Sequence, residues 1–415
     1  MLDIKLIREN TKEIETNLLK RLDKKDLDLV GILDLDDKYR SLLAKVENLQ
    51  AQKNKFSKSK PDPETLKKMK ALGQELSTLK EELNQAENIL LQKLSALPNI
   101  SADEVVGGGK ENNKIINTFK DKPKFNFQLK NHVDLATDLN LIDYKRAAKM
   151  SGSGFWVYIG DGALLEWALL NYFIDFHRSH KDYKFMLPPF LLNEKSAYIS
   201  GHLPKFKDDL FWVEKDKLCL NATSEMMLGN YHVDELLAIE QLPLKYFAYS
   251  TCFRREAGSY RKEERGMVRG HQFNKIEMFC FSQPENSWQD FEELVGYGEK
   301  LLSGLDLHFN TVQLAAGDCS AAMAKTVDLE VWIPSMETYK EVSSISNALD
   351  YQARRGNVRF KDKDGKNKFV HTLNGSGLAT SRVLPAILEQ NQQADGTVKV
   401  PKVLQKYLGK KFLGK

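Results

Sequence analysis

A chain of 415 residues, 42% of them hydrophobic and 28% charged, has enough apolar material for two domains and a large buried core. Its formal net charge of +4 excludes a globally basic surface, so any nucleic-acid contact has to come from local patches. Cys219, Cys252, Cys280 and Cys319 lie far apart, with no Cys-x-x-Cys pair and no His cluster of zinc-finger spacing; no zinc is expected, and the thiols read as reduced, in a cytoplasmic protein.

The chain begins Met1-Leu2-Asp3-Ile4-Lys5-Leu6-Ile7-Arg8-Glu9, interleaving charges with apolar residues as neither a secretory nor a membrane-spanning segment does. No membrane association is expected, since even the most apolar stretch, 163–176, is interrupted by Glu166, Asn171 and Asp175. Leu35, Tyr39, Leu42, Val46, Leu49 and Phe56 recur at alternating four- and three-residue steps, with Lys53 in the intervening position. That is a heptad seam. After the breaker at 57–63, a second seam runs through Met69, Leu72, Leu76, Leu79, Leu83, Ala86 and Leu90 to a stop at Leu97-Pro98-Asn99. Two such helices joined by a short loop predict an antiparallel coiled-coil hairpin, an arm about 45 Å long at roughly 1.5 Å per residue. Its tip is basic, with Lys53, Lys55, Lys58, Lys60, Lys67, Lys68 and Lys70 against only Asp62 and Glu64. Most lysine-rich coiled-coil tips are only solvated ends, and taken alone this one reads so before it reads as an RNA contact.

Gly107-Gly108-Gly109-Lys110 reads as part of a linker and not as a phosphate loop, because the Gly-Lys-Ser/Thr ending is missing. From Phe119 onward, strands rich in Phe, Val, Tyr and Trp alternate with isolated helices, predicting an α+β domain around an antiparallel sheet. Residues 164–177 predict a helix so apolar that it must be buried, in its own domain or against another subunit. Residues 246–254 and 272–281 read as two antiparallel strands joined by a cationic loop. Alternation places Arg254 and Glu256 on one face, and Phe273 and Glu277 on one face roughly 13 Å apart. An aromatic there could stack on adenine while the carboxylate meets a second substrate; an ordinary hairpin with a charged loop fits the same residues.

Further landmarks carry a resemblance. They are Leu97-Pro98-Asn99-Ile100, Asn131-His132-Val133-Asp134-Leu135 leading into Ser151-Gly152-Ser153-Gly154-Phe155, and Gly201-His202-Leu203-Pro204-Lys205-Phe206. Thr223-Ser224-Glu225, the hairpin with Arg254 and Glu256, Glu341-Val342-Ser343-Ser344-Ile345-Ser346-Asn347, and Leu373-Asn374-Gly375-Ser376-Gly377 with Arg382 follow in order. In sequence and spacing the chain resembles the seryl-tRNA synthetases of the common bacterial type, over essentially its whole length. The resemblance implies a class II synthetase domain, a mostly antiparallel sheet flanked by helices, preceded by the coiled-coil hairpin. It implies a tRNA-binding domain at 1–100, a linker at 101–118, a catalytic domain at 119–415, and a homodimer formed through residues 164–189.

It also implies a chemistry: activation of L-serine by ATP to seryl-adenylate, then transfer to serine transfer RNA, and to selenocysteine transfer RNA where present. The nucleophile, an α-carboxylate of pKa roughly 3.5, is already ionised, so the site needs cations and geometry in place of a general base. By resemblance, Arg254 sits on the α-phosphate, Arg269 and Arg382 hold the outer phosphates, and Phe273 stacks on adenine. Arg255, Glu256, Val342 and Ser343 complete the ATP site, and Glu341 and Ser344 hold Mg2+. Thr223, Ser224, Glu225, Arg254, Glu277, Asn374 and Ser376 form the serine pocket; the sequence leaves open which of Glu225 and Glu277 takes the amino group and which the hydroxyl. Lys53, Lys55, Lys58 and Lys60 are the expected RNA contacts.

The sequence departs from the family pattern at Arg255, Met226-Met227, Ala348 and Gly154. Two other classes share part of the pattern: a carrier-loading synthetase relative, which lacks a long basic arm, and a non-catalytic RNA-binding homologue, which would not need Arg254, Glu341 and Arg382 together.

Overall fold

The computed structural model describes residues 1–56, 63–256 and 266–414. Their contacts divide the chain into two units, Met1–Ile100 and Ser101–Lys415.

In the first unit, short helices α1 (Ile4–Glu9) and α2 (Thr11–Leu18) precede the long α3 (Leu29–Phe56) and α4 (Pro63–Ala96). Pro63 opens α4 at a position whose N–H would have no intrahelical partner, so the missing donor costs nothing. Helices of 28 and 34 residues make rods of about 42 and 51 Å. They run antiparallel: Lys93 Nζ donates to Asp28 Oδ2 at 2.7 Å near one end, and Lys80 Nζ to Gln50 Oε1 at 3.5 Å further along. Every residue of both expected seams is buried or half-buried. Lys53 is among them, its ammonium 3.9 Å from where a Cβ on Gly73 would stand, so its stem covers the seam while its charge reaches the edge. Lys55 is exposed; Lys58 and Lys60 lie outside the described residues. At the base, Asp36 is only 3% exposed and is held by Arg8 Nε at 3.2 Å and Arg40 Nε at 3.1 Å, a buried charge with its compensation in place.

The second unit is built on an eight-stranded sheet: β1 (Lys114–Phe119), β2 (Tyr183–Met186), β3 (Leu244–Phe253), β4 (Gln272–Ser282), β5 (Phe309–Gln313), β6 (Lys325–Ile333), β7 (Thr338–Asn347) and β8 (His371–Ala379). Their order is β1-β5-β6-β7-β8-β4-β3-β2. Every pair is antiparallel except β2 with β3. Helices α5 (Asp161–Arg178), α6 (Ser287–Gly304) and α7 (Thr380–Gln390) pack on it. The alternation is clean: Ile276 and Met278 of β4, Val327, Leu329 and Val331 of β6 and Ile345 of β7 join the helices in one core. The residues between them face the other way, toward the site.

Residues 101–118, expected as a linker, cluster with the second unit, where Gly317 N donates to Gly108 O at 2.8 Å and residues 114–119 pair as edge strand β1. The apolar helix is buried on one face only. Leu165, Leu169 and Phe173 of α5 have no exposure, whereas Leu164 and Trp167 are 53% and 54% exposed, as are Phe185 and Leu187 at the end of β2 at 41% and 72%.

Candidate active site

A cavity of about 730 Å³ lies against the face of the sheet opposite α5, α6 and α7, walled by β4, β6, β7, β8 and the loop carrying His202. Its chemistry follows from which side chains alternate into it. On β4 these are Phe273, Lys275 and Glu277. On β7 a regular strand would turn Glu341 and Ser344, three residues apart, to opposite faces. The register with β6 slips at this point, Ser343 opposing Leu329 and Glu341 opposing Glu330, so that Val342 is the extra residue. This bulge brings Glu341 and Ser344 to the same wall.

At one end lies a closed polar network. Lys275 Nζ forms an ion pair with Glu277 and donates to Thr223 Oγ1 at 2.6 Å. Glu277 also accepts from Thr223 at 3.3 Å, Ser376 at 3.4 Å and Asn374 at 3.4 Å. Glu225 opens a short helix, Glu225–Leu228, beside this cluster; it accepts from Asn374 Nδ2 at 3.3 Å and Gln352 Nε2 at 2.7 Å, and Gln352 accepts in turn from Thr372 at 2.7 Å. Neutral amides are its partners, where Glu277 has an ammonium. Burial, and next the Glu277 carboxylate, push the Glu225 carboxyl up to about 7.

At the other end the side chains are cationic and anionic in turn. Arg254 follows the last residue of β3, its Nε donating to Ala222 O at 3.3 Å and its guanidinium 5.2 Å from the Phe273 ring centre. Arg269 places two nitrogens 2.7 Å from Glu256 Oε2, with Glu256 held at φ +52°. Arg382, on the first turn of α7, donates to Glu341 O at 2.9 Å and lies 3.4 Å from its carboxylate. Asp328 lies directly opposite Ser344, and burial followed by the Glu341 charge pushes its carboxyl well above the usual range. Burial also raises Glu330. His202 receives or donates a bond with Ser200 Oγ at 3.0 Å; enclosure, then Arg254 and Lys275, hold its imidazole down at about 3, so it is neutral. Among the described residues no three His, Cys, Asp or Glu side chains converge closely enough to hold a metal by themselves.

The expected site residues Thr223, Glu225, Arg254, Glu256, Arg269, Glu277, Glu341, Ser344, Asn374, Ser376 and Arg382 all line the cavity, and Phe273 and Val342 line its continuation beside Arg269. Three side chains do not reach it. Ser224 is fully buried and donates to Ser250 Oγ at 2.7 Å; Ser343 donates to the Ser376 carbonyl at 2.6 Å from beneath; Arg255 turns to the Phe211 ring at 5.7 Å. Each neighbours a cavity residue in sequence and faces away from it. Conversely, Lys275, Gln352, Asp328 and His202 were missed. Lys275 alone had a signal, since the alternation joining Phe273 to Glu277 passes through it. Of the departures from the family pattern, Met226 and Met227 are core residues, and Gly154 occupies φ +81°, where an added Cβ would lie 2.6 Å from His271.

Behind this wall, Glu166 of α5 is 3% exposed and accepts from Asn274 Nδ2 at 2.8 Å and Thr380 Oγ1 at 2.6 Å. Burial raises its carboxyl to about 7.

Comparison with known proteins agrees with this geometry. Residues 1–101 match the seryl-tRNA synthetase N-terminal domain, and residues 211–391 match the tRNA synthetase class II core domain (G, H, P, S and T). The chain is 51% identical to serine–tRNA ligase 2 of Clostridium acetobutylicum, across 99% of each chain. It is 45% identical to the serine–tRNA ligase of Petrotoga mobilis across the whole of both. Among solved structures it superposes on the seryl-tRNA synthetase of Pyrococcus horikoshii complexed with ATP with a TM-score of 0.92, at 35% identity, covering 100% of this chain and 99% of that one. With both segments matched and the relatives spanned from end to end, the chain belongs to the seryl-tRNA synthetase family.

Proposed function

We propose that this chain activates L-serine with ATP and transfers it to the 3′ end of serine transfer RNA, and of selenocysteine transfer RNA where present. The observation that carries the reading is the buried pairing of Lys275 with Glu277 beside a Glu225 that has only amide partners. Glu225 lacks a cation, and serine's ammonium supplies one. Glu277, already balanced by Lys275, is left to accept the serine hydroxyl together with Thr223 and Ser376. Alanine offers no hydroxyl and would strand these groups, a discrimination of roughly 10⁴-fold; threonine has to be excluded by the packed walls.

The serine carboxylate attacks the α-phosphorus, the bond to the bridging oxygen breaks, and pyrophosphate leaves. Arg254 stands between the serine pocket and the Arg269–Arg382 end, where charge develops on the α-phosphoryl oxygens. Arg269 and Arg382 are pre-oriented by Glu256 and Glu341, so little reorganisation is needed to meet the outer phosphates. Phe273 offers a face to adenine. Glu341 and Ser344 supply the hard oxygen donors that Mg2+ prefers, and the bound ion would neutralise and align phosphate oxygens. The exposed Leu164, Trp167, Phe185 and Leu187 support a homodimer closed over α5 and β2. Lys53 and Lys55, with Lys58 and Lys60, are proposed to meet RNA phosphates. Among the described residues no helix is long and apolar enough to cross a membrane, and the four buried cysteines are unpaired, which supports a cytoplasmic location.

Pyrophosphate exchange with each amino acid, then charging of total transfer RNA, tests the reading. Serine should stimulate exchange and be the amino acid esterified; equal stimulation by alanine removes the pocket assignment.

The ammonium assignment predicts a pH dependence. Glu225 has to be ionised to receive serine, so with its carboxyl at about 7 the serine dissociation constant should be about tenfold larger at pH 6 than at pH 8. Affinity is lost as pH falls, since protonation removes the counter-charge. Glu225→Gln should bind serine more weakly at pH 8 and lose this pH response. Calorimetric titration at the two pH values decides it, a flat wild-type profile placing the ammonium elsewhere.

A further inference from the structure

We infer that the cation site proposed at Glu341 and Ser344 extends across the β6–β7 pair to Asp328, whose carboxylate is a third ligand. The inference rests on the reading above and concerns a residue that sequence patterns did not single out. Asp328 lies on the cavity wall, opposite Ser344 in the strand register, and is 7% exposed. The two side chains stand on the same wall, since residues paired across an antiparallel ladder point to one face. The Asp328 Oδ1 is buried with no hydrogen-bond partner. A carboxylate oxygen in that position is left unsatisfied unless something positive meets it.

The neighbours do not meet it. Arg382 is engaged by Glu341, and among the described residues no lysine or arginine forms an ion pair with Asp328. Glu330, Glu341 and Asp328 face the cavity from one wall, with Asp318 nearby and Lys110, beside Glu330, the nearest cation to that end of the wall. A polyphosphate entering such a cavity would be repelled by that wall. A divalent cation between the wall and the phosphates reverses the sign of the interaction, and the donors available, two carboxylates and a hydroxyl, are the hard oxygens that Mg2+ or Mn2+ takes. Two carboxylates and one hydroxyl leave the remaining positions to phosphate oxygens and water.

Asp328→Asn keeps the volume while removing the charge. With a non-hydrolysable ATP analogue present, Mn2+ affinity measured by electron paramagnetic resonance should fall at least about tenfold, and the Mg2+ concentration for half-maximal serine exchange should rise by a similar factor. Asp328→Glu, which retains a carboxylate, should recover part of both. Wild-type Mn2+ affinity and Mg2+ dependence in Asp328→Asn, with Glu341→Gln impaired, would overturn the inference and leave the reading of the enzyme intact. Absence of serine exchange in the wild-type protein at every Mg2+ concentration would instead remove that reading. Should Asp328→Asn not fold, the wild-type complex carries the test: with ¹³C-labelled aspartate, bound Mn2+ should show hyperfine coupling to a carboxylate carbon, and its absence overturns the assignment.

Discussion

Arg254→Ala should slow serine-dependent pyrophosphate exchange about 10²- to 10³-fold, with little change in thermal unfolding. The side chain is half-buried and makes one 3.3 Å hydrogen bond to the Ala222 carbonyl, so its removal strands little. In the proposed mechanism it acts on charge that exists only during the reaction. Serine binding, read by calorimetry without ATP, should be reduced far less than the exchange rate. A folded Arg254→Ala protein exchanging at near the wild-type rate would take Arg254 out of the mechanism.

The second large effect separates the two units. Replacing residues 27–97 by a short linker should leave serine exchange near its original rate and depress charging of transfer RNA severely. Met1–Ile100 is a compact unit by itself, and the cavity is lined wholly by residues of the other, so the loss should be one of RNA binding. Lysines at the arm's tip should act on phosphates and sugars and read shape. Changing Lys53, Lys55, Lys58 and Lys60 to Gln should therefore flatten the dependence of log affinity on log salt by roughly 0.7 to 0.9 for each lysine that displaces a counterion. An unchanged slope with unchanged charging makes the tip a solvated end. Exchange that falls with charging would show the hairpin supporting the catalytic unit.

Periodic features were legible because period alone sets which way a side chain faces. The seam positions between Leu35 and Leu90 needed only a heptad count, and strands β3 and β4 only an aromatic run bounded by turns. Motifs were legible as to place but not as to direction. Ser224, Ser343 and Arg255 belong to the same short strings as their cavity-facing neighbours, yet backbone alternation and the turn after β3 send them away. The bulge at Val342 works in the opposite sense, aligning Glu341 and Ser344 against the alternation rule, and no composition signal marks it. Gln352 and Asp328 were hidden for another reason: each reaches the site through a partner distant in sequence, Glu225 for one and Ser344 for the other, which only the folded sheet brings near.

Glu166 and Trp167 are adjacent on α5 and look in opposite directions. Trp167 is half in solvent, while Glu166 holds Asn274 on the strand that carries Lys275 and Glu277, and Thr380 on the helix that carries Arg382. A rigid helix cannot shift one of these without the other. The outer apolar face and the cavity wall are thus joined through one helix, so that a displacement of α5 at Trp167 would be carried by Glu166 to Asn274 and Thr380.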